Sequence, residues 1–264
     1  MRRSRRSTGT RASVPLAALS AIVALGACGP SGPPTVPSIP PGATSELASP
    51  GGTSMIDPAS APARTPVPDF EDWQTINPQA VRLSRDGDAL VMELIASVLW
   101  FQAERGVLFH TQVTGDFRAT ATVRTSKSSD PEAAPGRDGT IQLAGLMARS
   151  EVPAENYVFI VAGSIGTATG IETKTTTSSD SIYVQRGVGD GDADLLLCRR
   201  EFTFTLFFRP AGSTDDWTLL STFERRDLPQ TLQVGANIYT DDVPDLLARF
   251  EGLTIEPLAE SGSC

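Results

Sequence analysis

The sequence predicts an all-β protein, a two-sheet antiparallel β-sandwich, and three observations carry the prediction. In "GDFRATATVRTS" Phe117, Ala119, Ala121 and Val123 alternate with Arg118, Thr120, Thr122 and Arg124, the period-two signature of a strand buried on one face. Clusters of Gly, Asp, Asn and Pro interrupt the chain at short intervals, as turns between short strands require. No stretch of residues 69–258 offers a long amphipathic helix; "DDVPDLLARF", residues 241–250, has room for one or two helical turns.

Taken in order, the strand segments begin with "ALVMELIA" and "GVLFHTQV", then the alternating segment at Phe117. The next two, "TIQLAGLMAR" and "NYVFIVAG", are joined by the polar turn "SEVPAE" and read as a hairpin. "ATGIETKTTT", "SIYVQRG" and "DLLLCRR" follow. "EFTFTLFFRP" alternates again through Phe202, Phe204, Leu206 and Phe208. "WTLLSTF", "TLQVGANIYT" (Leu232, Val234, Ala236, Ile238) and "FEGLTIEPL" complete the set. About twelve short strands in about 190 residues suit a single sandwich domain. Two polar stretches, "TSKSSDPEAAPGRDG" and "SSDSIYVQRGVGDGDAD", are longer than hairpin turns need and are expected as loops at a sheet edge.

Residues 1–68 lie outside that domain. "MRRSRRSTGTR" is a basic head with five arginines, "ASVPLAALSAIVALGA" is apolar but too short to span a bilayer, and Cys28 follows two small residues. The pattern resembles the signal and lipobox of bacterial lipoproteins. That resemblance implies cleavage after residue 27 and lipidation of Cys28, with acyl chains as the anchor. Gly29 in place of Asp resembles the pattern for sorting to the outer membrane of a Gram-negative cell. Residues 29–68 hold 11 of the 20 prolines, with Ser, Thr, Gly and Ala filling most of the rest, so they read as an extended tether. The organisation expected is therefore signal (1–27), lipidated cysteine and tether (28–68), sandwich (69–258) and a short tail (259–264).

Charge excludes one class of partner. Without residues 1–27 the chain keeps 17 of its 22 basic residues and all 31 acidic ones, a net of −14. Such a surface repels the phosphates that nucleic-acid binding neutralises, and leaves the lipid anchor as the only membrane contact. Two cysteines remain beyond Cys28. In an exported compartment Cys198 and Cys264 are expected to bridge, tying the tail to a strand; a buried and an exposed free thiol are the alternative.

An ordered set of pieces, "GVLFHTQVTGDFRATATVR", "AGLMAR" with "ENYVFI", "LLLCRREFTFTLFFRPAGSTDDWTLL", "LPQTLQVGANI" and "FEGLTI", resembles a concanavalin A-like, laminin-G-like jelly-roll family. Within it the resemblance is to the bacterial domains described as "regulation of enolase protein". It implies two curved antiparallel sheets, one able to hold an extended ligand, and kinship with carbohydrate-binding modules and with domains appended to glycoside hydrolases.

Chemistry-bearing motifs are sparse. His110 is the only histidine and no G-x-S-x-G is present, which leaves no hydrolase triad and no histidine metal cluster. The strand motif E-[ILV]-D-x-E of jelly-roll glucanases is also missing, and the acids fall in turns. Asp190, Asp192 and Asp194 have alternating spacing, but Leu195 stands where an EF-hand needs glycine; a looser calcium site on these three is the metal expectation, with no other cofactor. For ligand contact the sequence offers Trp100 as the aromatic candidate, with Arg149, Asn156, Tyr157 and Tyr183. The small residues Ala144 and Gly145 suggest a close approach of chain or ligand. A structural reading of the hairpin has Arg149 paired with Glu151 or Glu155 and Asn156 capping the turn. The functional expectation is non-catalytic recognition of an extracellular glycan or envelope component. A glycan hydrolase or lyase on the same fold, and an envelope lipoprotein that binds proteins, are the alternatives.

Overall fold

The computed structural model describes residues 70–264, apart from 103, 104, 137, 138, 154, 190, 260, 261 and 263. Its strands are β1 (Gln74–Ile76), β2 (Val81–Asp86), β3 (Ala89–Leu94), β4 (Val107–Thr114), β5 (Phe117–Ser126), β6 (Ile141–Arg149) and β7 (Tyr157–Ile165). They continue with β8 (Thr169–Thr177), β9 (Asp180–Gly187), β10 (Ala193–Arg200), β11 (Thr203–Pro210), β12 (Thr218–Glu224), β13 (Thr231–Thr240) and β14 (Leu247–Pro257). Two seven-stranded antiparallel sheets result: β1-β4-β13-β6-β7-β8-β9 and β12-β11-β10-β5-β14-β3-β2. The protein is a two-sheet β-sandwich.

Period two does the building. In β5 Phe117, Ala119, Ala121 and Val123 are buried while the residues between them are not, and Phe204, Leu206 and Phe208 of β11 repeat the pattern. These side chains meet Leu146, Val158, Ile160, Val234 and Ile238 of the facing sheet in one continuous core. Each large apolar side chain so buried contributes roughly 1.5–3 kcal/mol. Phe70 and Trp73 close one margin against Phe109, with ring centroids 5.4 and 5.1 Å away. The β6–β7 hairpin forms in register from Ile141↔Ile165 to Arg149↔Tyr157.

Three expectations change. Residues 241–250 form no helix: Leu246, Ala248 and Phe250 all enter the core at period two, and Asp245 is held as acceptor by Ser128 and Ser129. The expected strand "SIYVQRG" forms as β9, a mostly exposed edge strand, and takes up much of the stretch also expected as an edge loop. β1 and β2 also extend the sheets; β2 buries only Val81, so its sequence carries no core pattern.

Cys198 and Cys264 are disulfide-bonded. Arg118 donates to the carbonyl of Cys264 at 2.6 Å, and Arg200 donates to the carbonyls of Ala259 and Gly262. The tail is thereby clamped onto the outward side of β10. The cross-link closes a loop with a sequence separation of 66, which in the chain-entropy model contributes roughly 4 kcal/mol. Cys264→Ser should lower the unfolding free energy by about 2–4 kcal/mol in denaturant titration and expose the tail to carboxypeptidase; an unchanged midpoint would remove the bridge from the stability account.

Candidate functional site

The middle strands of the first sheet, β6, β7 and β8, are buried on both faces. Beyond the main core, the sheet's outer face carries a second apolar cluster of Leu108, Leu143, Met147, Tyr157, Phe159, Val161 and Tyr239 around Trp100. Trp100 belongs to the connection between β3 and β4, which turns back over this face. It is tied down by the Val98↔Thr240 bridge, by Lys174 Nζ donating to the Trp100 carbonyl at 3.0 Å, and by Gln102 N donating to Ser181 Oγ at 3.2 Å. The indole is 0% exposed, meets Tyr157 edge-on at 5.5 Å and donates to the Val107 carbonyl at 3.3 Å. This corrects the expectation of a ligand-facing Trp100: its ring fills the sheet's outer face and offers no surface to a ligand.

Asn156 and Tyr157 are corrected in the same way. Asn156 donates to Asp227 at 3.1 Å and accepts from Ser178 N at 2.6 Å, joining three connections. Tyr157 is fully buried and stacks on Phe159 at 5.9 Å; burial raises its phenol above the usual tyrosine value. Gly145 needs its missing side chain because a Cβ there would lie 2.1 Å from the Ile160 carbonyl oxygen. The close approach suggested at Ala144 and Gly145 is therefore made by the neighbouring strand.

The two other ligand candidates line clefts on this face. Arg149, 2% exposed, forms a wall of a pocket of about 480 Å³ with Ile76, Arg105, Glu151, Glu155 and Gln233. Burial, reinforced by the charge of Arg105 and opposed by Glu155 and Glu151, pushes its guanidinium down to about 10. On the same face, His110 Nδ1, Gln233 Oε1 and both amide atoms of Asn237 are buried with no hydrogen-bond partner among the described residues. Register places Gln233 beside Arg149 and Gln112, and Asn237 beside Gly145 and Leu108. A buried polar atom left unpaired costs about 1–3 kcal/mol, so these groups favour a polar partner on this face.

Tyr183, 53% exposed, lines a smaller cleft of about 150 Å³ with Phe101, Glu172, Lys174, Gln185 and Tyr239. Glu172 and Lys174 form a buried ion pair at 3.1 Å. Glu172 also accepts from Tyr239 Oη at 3.0 Å and Gln185 Nε2 at 2.7 Å. The Lys174 ammonium lies 5.0–5.7 Å from the rings of Phe159, Phe101, Tyr183 and Tyr239. Lysine itself thus fills the aromatic cage, and burial beside Glu172 holds the Tyr239 phenol well above its usual value.

The acidic positions expected to hold calcium are engaged otherwise. Asp194 accepts from Arg209 at 2.8 Å, Thr122 at 2.6 Å and Gly212 N at 3.0 Å. Asp192 accepts from Thr125 N at 2.9 Å and Arg124 at 3.3 Å. Asp190 and Cys28 lie outside the described residues. Among the described residues no group of three His, Cys, Asp or Glu side chains could hold a metal ion. The arginine contacts correct the calcium expectation for Asp192 and Asp194.

No family model matches the sequence, and no curated protein does. Solved structures resemble the fold. A functionally unknown protein from Saccharomyces cerevisiae aligns with 73% of this chain and 100% of its own at TM-score 0.60 and 13% identity. A xylan β-1,4-xylosidase from Bacillus halodurans C-125 aligns with 73% of this chain at TM-score 0.54 and 12% identity. The Bacteroides ovatus xyloglucan PUL GH43B protein aligns with 74% at TM-score 0.52 and 16% identity. The chain spans 39% and 40% of the length of the last two. The likeness extends to the fold: a two-sheet antiparallel β-sandwich.

Two outcomes test this face. Lys174→Met should cost about 3–5 kcal/mol by stranding Glu172, and the double variant with Glu172→Gln should recover part of it in thermal unfolding. His110 is held below its usual 6.5 by burial and then by the charge of Arg149. The unfolded chain therefore takes up the proton first as pH falls, and stability should decline below pH 6.5 until the lower folded value is reached. His110→Gln should remove that slope between pH 6.5 and 5.5 in urea titrations.

Proposed function

We propose that this protein is a non-catalytic recognition module that binds an extracellular glycan on the outer face of its first sheet. The observation that supports the reading most is the Arg149 pocket. It sets a buried guanidinium and the unpartnered Gln233 Oε1 beside Glu151 and Glu155. Donors and acceptors fixed at one wall suit an array of sugar hydroxyls, each of which both donates and accepts. The likeness of fold to a xylosidase and a xyloglucan-locus protein agrees with a glycan ligand. The ordered segments from Gly106 to Ile255 that resemble enolase-regulation-type domains support placement in that branch of the jelly rolls.

The proposal extends to location. The basic head, apolar stretch and Ala27–Cys28 junction support export and lipidation at Cys28, with residues 29–68 as a tether. The sandwich is then displayed at the cell envelope, at the outer membrane in a Gram-negative cell.

A glycan array probed with the full chain should show retention on a defined polysaccharide class. Arg149→Ala should weaken that retention about tenfold or more, a loss of at least 1.4 kcal/mol. Silence across the array, or retention indifferent to Arg149→Ala, would overturn the reading. Metabolic labelling with an alkyne fatty acid should mark the wild-type chain and leave Cys28→Ser unlabelled.

A further inference from the structure

The opposite face of the sandwich carries a second construction that neither core explains. Trp73 packs on the main core and Trp100 centres the second cluster, whereas Trp217 belongs to neither. Its half-buried indole stands just before β12 on the outer face of the second sheet, with the Arg209 guanidinium 4.5 Å from the ring centroid. Register then lines up one outward row across four strands: Arg209, Asp194, Thr122 and Glu251.

Regular pairing fails at that row. Between Glu251 and Thr254 the register of β14 against β5 shifts, and Gly252 takes φ +59, in the left-handed region that glycine tolerates. Bulges of this kind recur next to binding sites because they re-aim side chains and open the strand. Here the bulge borders a notch of about 180 Å³ lined by Trp217, Arg209, Asp194, Glu251, Thr120 and Thr122. A Cβ on Gly252 would meet nothing within 4 Å, so the notch is open on that side.

Charge decides what the notch can take. Asp194 is matched by Arg209, and Glu251 by Arg249 at 2.9 Å and Arg124 at 3.4 Å. An ionic ligand would find its counter-charges already engaged. A neutral ring with an apolar face and a hydroxyl rim fits both parts: the indole takes the C–H face, and the carboxylates, guanidinium and threonine hydroxyls take the rim.

We propose that the Trp217 notch is a saccharide-binding site for a single neutral pyranose unit of an oligosaccharide. It is separate from the Arg149 pocket on the other sheet and does not depend on it. The fold carries this site where a strand bulge meets an indole that serves no core.

The full chain labelled with 5-fluorotryptophan gives three ¹⁹F resonances, one per tryptophan, assigned by Trp→Phe variants. Titration with xylohexaose, cellohexaose and mannohexaose should shift the Trp217 resonance saturably with at least one of them, and should still do so in Arg149→Ala. Thr122→Val and Glu251→Gln keep the indole in place and should weaken the response about tenfold. A Trp217 resonance unmoved by all three sugars would overturn the proposal, as would a shift that both variants leave unchanged. Movement of the Trp100 resonance alone, next to Arg149, would assign binding to the first sheet and also overturn it.

Discussion

Burial of both faces of β6, β7 and β8 is the condition from which the rest of the molecule follows. A sheet with one wet face would let its outward residues be polar, but these three strands are buried along nearly their whole length. Their outer side must therefore be covered, and the covering comes from the β3–β4 connection with Trp100 at its centre. Once covered, the face turns any charge it carries into a problem of desolvation. Glu172 and Lys174 solve it with each other, with Tyr239 and Gln185, and with the Trp100 carbonyl. Arg149 solves it by standing at the rim, where a pocket opens and the charges of Glu155 and Glu151 favour its charged form against the effect of burial.

The second sheet answers the same requirement differently. Its outward residues are charged and threonine-rich, and they satisfy one another across strands: Arg209 with Asp194, Arg124 with Glu251, Thr120 with Thr254 at 2.8 Å. The pleat of β10 sends Asp194 outward to Arg209 of β11, and Asp192, just before the strand, meets Arg124 of β5. Both aspartates are engaged by arginines and by backbone N–H groups of this sheet and its loops.

This explains what could be read beforehand. Strands with one wet face announce themselves by alternation, as β5 and β11 do, and the two-sheet sandwich follows from them. An edge strand such as β2 buries little, so nothing in its composition separates it from a loop. Arg149 was visible because a charged residue ends an otherwise apolar run. The burial of Trp100 was not, because the path of a connection is set by the surface it crosses, and that surface is assembled from strands far apart in sequence. Trp217 shows the converse. An indole at the start of a strand reads as packing, and only the cross-strand row and the bulge in β14 show that it faces outward.

β10 shows how one strand divides the labour of a face. Its outward residues Asp194, Cys198 and Arg200 fall at period two, with Leu196 between the first pair. The last two bind the C-terminal tail, one by the disulfide and the other through the carbonyls of Ala259 and Gly262. The tail thus occupies the end of the face near Arg118. Asp194 lies four residues away, about 13 Å along the strand at its usual rise, and there the covering is replaced by the bulge at Gly252 and the indole of Trp217. A tail clamped at one end can cover part of a sheet without obstructing the rest. The bridge at Cys198 and the notch at Asp194 are consequences of the same pleat, which sends both side chains outward and keeps them apart.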